Sequence, residues 1–176
     1  TVFPVNDLHR RIFAAAAAAW RATGARPVTA WQKPRWDPVD PFATPRGTAA
    51  VDVEMMRNEF RSGAFLLSNA GENTADLRVS LRGLPGGPDP AYVTVHEGVF
   101  TDTKTGVPVL AALPRARRDE SGYVFTLAPG TTRRVWMTFN PRTVAPGEYR
   151  GTVAIRPARI AVPLRLKIHP LTFPDR

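Results

Sequence analysis

The chain has no cysteine, few serines, and lysine only at Lys33, Lys104 and Lys167. The first absence excludes disulfides, and it leaves the compartment open because many secreted bacterial proteins also lack cysteine. No apolar run approaches the roughly 20 residues of a membrane span, so no insertion into a membrane is expected. No Gly-x-Ser-x-Gly elbow, phosphate loop or dinucleotide fingerprint occurs, so no cofactor is implied. What remains is arginine, alanine and proline. The 176 residues carry a net charge of +9 and a pI near 11.1. Almost all of that basicity is arginine, which reads as the imprint of a G+C-rich genome. The arginines are scattered over outward strand positions (Arg78, Arg82, Arg165) and turns (Arg115, Arg117, Arg118), without a basic helix or stripe, which argues against nucleic acid as a partner.

The length fits one domain with an appendage, able to bury roughly 70% of the surface its unfolded chain exposes. Because residue 1 is threonine, the chain is expected to be processed or cut from a longer one. The stretch "LHRRIFAAAAAAWRATGA" has the paired arginines, apolar centre and small residues of an export signal. A packed helix fits it better. Asn6 or Asp7 can cap its start, Gly24 can end it, and Leu8, Ile12, Ala16 and Trp20 fall near one stripe. Next comes "PVTAWQKPRWDPVDPFATP", whose five prolines allow neither a helix nor a central strand. It reads as a strap pinned by Trp31, Trp36 and Phe42; the alternative is a sugar-stacking platform built on Trp31 and Trp36.

From about residue 50 the hydrophobic period is two. Strands are expected at 51–56, 59–68, 75–82, 91–100, 107–113, 122–127, 132–139, 148–156 and 159–168, separated by Gly-, Asn- and Pro-rich turns. Without crossover helices they should pair antiparallel and close into a sandwich. In "RIAVPLRLKIH", Ile160, Val162, Leu164, Leu166 and Ile168 face one way and Arg159, Arg165, Lys167 and His169 the other. Pro163 puts this strand at an edge or marks a bulge. Ala145-Pro146-Gly147-Glu148 suits a type II turn that launches a strand hairpinned through "RPAR" into the last one. The fold class is therefore mainly β: an immunoglobulin-like antiparallel β-sandwich over 50–176, preceded by an N-terminal helix and proline-rich aromatic strap over 1–49.

Chemistry is sparse. His9, His96 and His169 are far apart in sequence. His96 and Glu97 resemble the start of a zinc-protease motif but lack the second histidine, and neighbours on a strand point to opposite faces. Glu97 shares parity with Val93, Val95 and Val99, which predicts either a bulge at Gly98 or a salt bridge. Asp37 and Asp40 fall short of the roughly six to eight oxygens that calcium takes. Glu59 and Arg61 are expected to pair. No catalytic residue and no metal ligand are assigned.

Several pieces in order, "MMRNEFRSGAFLLSNAGENTADLRVSLRGLPGG", "AYVTVHEGVFTDTKTG", "LAPGTTRRVWMTFNP", "VAPGEYRGTVAI" and "IAVPLRLKIHPLTFPDR", resemble the β-sandwich module that precedes the catalytic barrel in glycoside hydrolases of the family 123 type and their bacterial relatives. Glu59 leads a strand ending at Asn69, Trp136 follows the Pro129-Gly130 turn, and Pro146 to Gly151 precede the last strand. The resemblance covers about 50–176 and implies a secreted or periplasmic sandwich whose parent acts on glycans. The family's Asp-Glu pair lies in the barrel that follows, which is expected to begin about where "LTFPDR" ends this chain, and it finds no match here. A non-catalytic accessory module is expected, with the catalytic domain of the same parent chain as its partner. The alternative is an independent module that binds a glycan or an envelope protein, with Trp31 and Trp36 as the ligand-binding residues.

Overall fold

The computed structural model describes residues 6–40, 43–101, 103–104 and 108–174. Among the described residues one helix, α1 (Asp7–Ala22), precedes eleven strands: β1 (Val28–Trp31), β2 (Val51–Arg57), β3 (Arg61–Asn69), β4 (Ala75–Arg82), β5 (Val93–Thr101), β6 (Val109–Ala112), β7 (Arg118–Asp119), β8 (Gly122–Leu127), β9 (Thr132–Phe139), β10 (Gly147–Arg156) and β11 (Ile160–Thr172). They form a five-stranded sheet in the order β1-β3-β9-β5-β6 and a six-stranded sheet in the order β2-β11-β10-β4-β8-β7. The alternation read from the sequence places the core between them. Phe65 and Leu67 of β3, with Val135, Met137 and Phe139 of β9, meet Val79 and Leu81 of β4 and Val162, Leu164 and Leu166 of β11. All ten are buried, and such burial is the main force holding two sheets face to face.

Four expectations need correction. The sandwich is not wholly antiparallel, because β2 and β11 pair in parallel, Leu164 with Val51 through Ile168 with Met55. A parallel pair needs a long crossover, and here the whole intervening sandwich is the crossover, so no helix is required. β11 is also an interior strand, although Pro163 sits one residue before β2 begins pairing, so locally one side is open; the register shift lies further on, between His169 and Thr172. Gly147 has φ +158°, close to extended and far from the roughly +80° a type II turn demands. It already belongs to β10, and the Tyr149 hydroxyl, donating to the Ala145 carbonyl at 2.9 Å, braces the bend instead. The hairpin from β10 through 157–159 into β11 is as expected.

The fourth correction concerns α1. Asn6 caps it through a reciprocal box with His9, and Gly24 follows its end at φ +85°, both as anticipated. The buried stripe, however, is Phe13, Ala17 and Trp20, while Leu8 and Ile12 are exposed. The helix docks on the end of the sandwich formed by the β3–β4 and β8–β9 turns. Arg21 Nη1 donates to the Ala70 carbonyl at 2.6 Å. Gly130, at φ +67°, lies so close beneath the helix that an added Cβ would overlap the Phe13 carbonyl. Asn69, 1% exposed, ties the two turns together. Its Nδ2 donates to the Leu127 and Asn73 carbonyls at 2.8 and 2.9 Å, and its Oδ1 accepts from Gly71 N at 2.8 Å.

The outer faces of the two sheets differ. On the six-stranded sheet, Asp52 and Glu54 of β2 face Arg165 and Lys167 of β11 in a solvated ladder of ion pairs at 2.7 and 2.8 Å, and His169 Nε2 lies 2.6 Å from Glu54 Oε1. The five-stranded sheet carries Trp31, Leu66, Phe100, Arg134 and Trp136 outward, and the strap lies over them.

Candidate functional site

The strap enters as β1, an edge strand paired antiparallel with β3. An edge position is compatible with the prolines that follow. Beyond it, residues 32–40 run over the outer face of the sheet. Val39 drops into a second apolar cluster with Trp31, Leu66 and Phe100, flanked by Leu110. Trp31 is 6% exposed and its Nε1 donates to Ser68 Oγ at 2.8 Å, which shares a hydrogen bond with Thr132 Oγ1 at 2.7 Å. Burial of the ring and a partner for its N–H together make Trp31 a pin. Phe42, read as a further pin, lies outside the described residues.

Trp36 is the opposite case, 77% exposed. Its ring stands edge-on to Trp136 of β9, with centroids 5.4 Å apart and planes at 65°, and the Arg35 guanidinium lies 5.8 Å from its centroid. Of the two tryptophans considered for ligand binding, Trp36 alone is accessible; nothing could stack on Trp31 without lifting the strap. Trp36 and Trp136 do not form a flat platform either, since they are steeply inclined and Trp136 is buried.

Between the strap and the β6 segment is an open cleft of about 900 Å3. Its walls are largely apolar: Trp36, Pro38 and Val39 on one side, Val109, Leu110 and Leu113 on the other, with Trp136 in the floor. Beside Trp136 in the floor is Arg134, 7% exposed. Arg134 Nη1 donates to the Arg35 carbonyl at 2.8 Å and Nη2 to the Asp37 carbonyl at 3.2 Å, so a buried guanidinium holds the strap by its backbone. Burial pulls the guanidinium below its ordinary value, and the Asp37 carboxylate acts in the other direction. Two further contacts fix the strap: Arg35 Nη1 donates to the Ser62 carbonyl at 2.9 Å, and Lys33 Nζ to the Pro38 carbonyl at 2.6 Å.

Arg134 fits because its cross-strand neighbour is Gly98. An added Cβ at Gly98 would stand 2.7 Å from Arg134 Cβ and 2.7 Å from Leu110 Cδ2. Gly98 therefore marks no bulge; the register shift in β5 comes between Val99 and Phe100, in its pairing with β6. Sequence reasoning named Gly98 only as a possible bulge and missed Arg134. A signal was present in "TRRVWMTF", where Arg134 and Trp136 share the parity opposite to Val135 and Met137. A tryptophan on the nominal solvent face of a strand marks a covered face.

The remaining chemical candidates have structural partners. Glu97 bonds Arg133 at 3.1 Å, just past the point where the core members of β5 and β9 end. Glu59 pairs with Arg61 at 2.6 Å and accepts from Met56 N at 2.9 Å. His96 Nδ1 lies 3.0 Å from the Leu113 carbonyl, which ties the β6 segment to β5. His9 belongs to the helix cap, and His169 lies 2.6 Å from Glu54. Asp37 and Asp40 both line the cleft. Among the described residues, no group of three or more histidine or acidic side chains is placed to hold a metal ion.

No protein-family model matches the chain, and no curated protein matches it significantly. Among solved structures, a family 123 glycoside hydrolase from Clostridium perfringens, described for glycolipid glycan hydrolysis, is similar at 9% identity and a TM-score of 0.51. The match covers 73% of this chain and 24% of that one, so the chain spans about a quarter of that hydrolase. The ASH/PapD-like domain 7 of human CEP192 matches at 17% identity and a TM-score of 0.37, over 81% of this chain and 99% of that domain. The alkylpurine DNA glycosylase AlkC of Pseudomonas fluorescens, bound to DNA with an abasic site analog, matches at 14% identity and a TM-score of 0.38, over 91% and 36%. The first likeness is one of fold, a β-sandwich; the other two are too distant to support any inference.

Proposed function

We propose that this chain is a non-catalytic accessory or scaffold sandwich of a larger, secreted or periplasmic glycoside-hydrolase-like protein, packing on the catalytic domain of the same parent chain. The observation that carries the reading is the likeness of the sandwich to about a quarter of a family 123 glycoside hydrolase. It runs in the same direction as the ordered sequence motifs of residues 50–176. The acidic side chains add support, since Glu54, Glu59, Glu97 and Asp119 are each held by a basic neighbour. A scaffold also needs apolar surface to offer a partner, and Phe60 and Leu171 are exposed where the 57–60 turn meets the end of β11, joined by Phe173 N donating to the Arg57 carbonyl.

A second reading, an independent carbohydrate- or envelope-protein-binding module, is favoured by exposed Trp36 at the rim of the cleft. One experiment separates the two. The folded chain is screened against a broad glycan panel, and its hydrogen exchange is compared alone and within its parent polypeptide. The scaffold reading expects no glycan retained and new protection around Phe60 and Leu171. Glycan binding that disappears in Trp36→Ala with the fold intact would replace it with the second reading.

A further inference from the structure

The cleft between the strap and the β6 segment has a feature that strap-pinning uses only in part and scaffolding does not use. Arg134 is more than nine-tenths buried, and two of its five N–H donors go to backbone carbonyls. No carboxylate forms an ion pair with it among the described residues; the nearest acidic influence is Asp37, which accepts from it through the backbone only. With Asp37 acting on it only at a distance, the buried cation is incompletely compensated, and an anion that reaches it gains a charge-assisted, geometrically specific bond. Around that cation the walls are Trp36, Val109, Leu113 and Trp136. The cleft's volume of about 900 Å3 lies at the upper end of the range typical of small-molecule sites, roughly 300–1,000 Å3. Lys33 and Arg35 add positive charge against Asp37 and Asp40 at the rim. From this geometry we infer that the cleft binds an amphiphilic carboxylate, its carboxyl group against Arg134 and its apolar body between Trp36 and the Val109–Leu113 wall.

This goes beyond the accessory role, and either can fail alone. An acyl chain and an aryl acid share the chemistry, so decanoate and 2-naphthoate serve as probes, with 1-decanol as the uncharged and glucuronate as the hydrophilic control. Binding is followed by calorimetry and by tryptophan fluorescence, which Trp36 and Trp136 should report. One of the two acids is expected to bind at least tenfold tighter than either control, and which one identifies the apolar body. Arg134→Gln should abolish the preference for acid over alcohol. Because that variant also loosens the strap, Leu113→Glu is the second test: Leu113 is 39% exposed, so the fold survives, and a carboxylate at the mouth should weaken the acid at least fivefold while sparing decanol. Equal affinity for acid and alcohol, tighter binding of glucuronate, no binding of either acid by the folded chain, or unchanged affinity in Leu113→Glu would each overturn the inference. Docking to a parent domain would be unaffected by any of these.

Discussion

Gly98 and Arg134 stand opposite each other on β5 and β9, and the side chain that Gly98 lacks is the space Arg134 occupies. The strap rests on that guanidinium through two backbone carbonyls, so a change on β5 should be felt in the strap. Gly98→Ala puts a methyl 2.7 Å from Arg134 Cβ. Overpacking of this kind costs about 1–3 kcal/mol, and a melting temperature in a chain of this size falls about 2–4 °C per kcal/mol. Arg134→Ala leaves the carbonyls of Arg35 and Asp37 unpaired, a loss of about 1–3 kcal/mol. The two costs share a cause, so the double variant should be at least about 0.5 kcal/mol less destabilised than the sum. Urea denaturation of all four proteins checks this, and strict additivity would refute the coupling.

The two strap tryptophans should behave very differently. Trp31 fills a buried cluster and donates to Ser68; its replacement by alanine opens a cavity and orphans a hydroxyl network, at about 3–5 kcal/mol. Trp36 is 77% exposed, and its alanine variant should stay within about 0.5 kcal/mol of the parent. Thermal melts of the two single variants make the comparison. Similar losses would mean that Trp36 also pins the strap.

Much of this fold was legible because period-two alternation is a local property. β4 matches the reading at both ends, β10 begins at Gly147, one residue earlier, and β11 begins at Ile160, one residue later, and runs on past 168 to Thr172, because Leu77, Val79 and Leu81, and likewise Val162, Leu164 and Leu166, announce their face one residue at a time. What could not be read depends on distant partners. The parallel pairing of β2 with β11 joins residues 113 apart, and nothing in "VDVEMMR" specifies its direction. The helix stripe was misjudged for the same reason: Leu8 and Ile12 are as apolar as Phe13 and Ala17, and the turn at Gly130 decides which side is covered. The cleft was half visible. Trp36 was singled out, whereas Arg134 looked like one more scattered arginine until the sheet and strap enclosed it.

The end of the sandwich under α1 gives a third test. Gly130 at φ +67° beneath Phe13 admits no side chain, and the left-handed backbone disfavours one independently. Gly130→Ala should therefore undock the helix while the sheets survive. Hydrogen exchange should accelerate over 7–22 and remain slow in β9 and β10. Asn69→Ala, by contrast, removes one hydrogen bond that joins two turns of the sandwich itself, to the Leu127 carbonyl, and two that brace the β3–β4 turn, with the Asn73 carbonyl and Gly71 N. It should lower global stability by about 1–3 kcal/mol, mainly because the buried Leu127 carbonyl loses its partner. A helix that stays protected in Gly130→Ala would mean that Phe13 and Trp20 find an equivalent seat.

The outer ladder of the six-stranded sheet governs the response to acid. Glu54 accepts from Lys167 Nζ at 2.8 Å and lies 2.6 Å from His169 Nε2, and these hydrogen bonds, Lys167 first, hold its carboxyl below the ordinary 4.5. Glu148 is lowered in the same sense, chiefly by its hydrogen bond with Arg165. Burial pushes Asp119 upward, but hydrogen bonds from Ser121 N and Arg78 outweigh it and leave it below 3.8. A carboxyl with a lower value folded than unfolded binds its proton more readily in the unfolded chain. Its contribution is therefore complete above the unfolded value and is lost as pH falls through the lower folded value. The melting temperature should be flat from neutral pH down to about 5 and drop below about 4.5, with a shallower drop in Glu54→Gln. Because these pairs are solvated, added salt should shrink the difference between the two proteins. Calorimetric scans of both proteins from neutral pH into acid, at low and high salt, provide the measurement. Parallel acid limbs at low salt would remove Glu54 from the account and leave the acid response to Glu148 and Asp119.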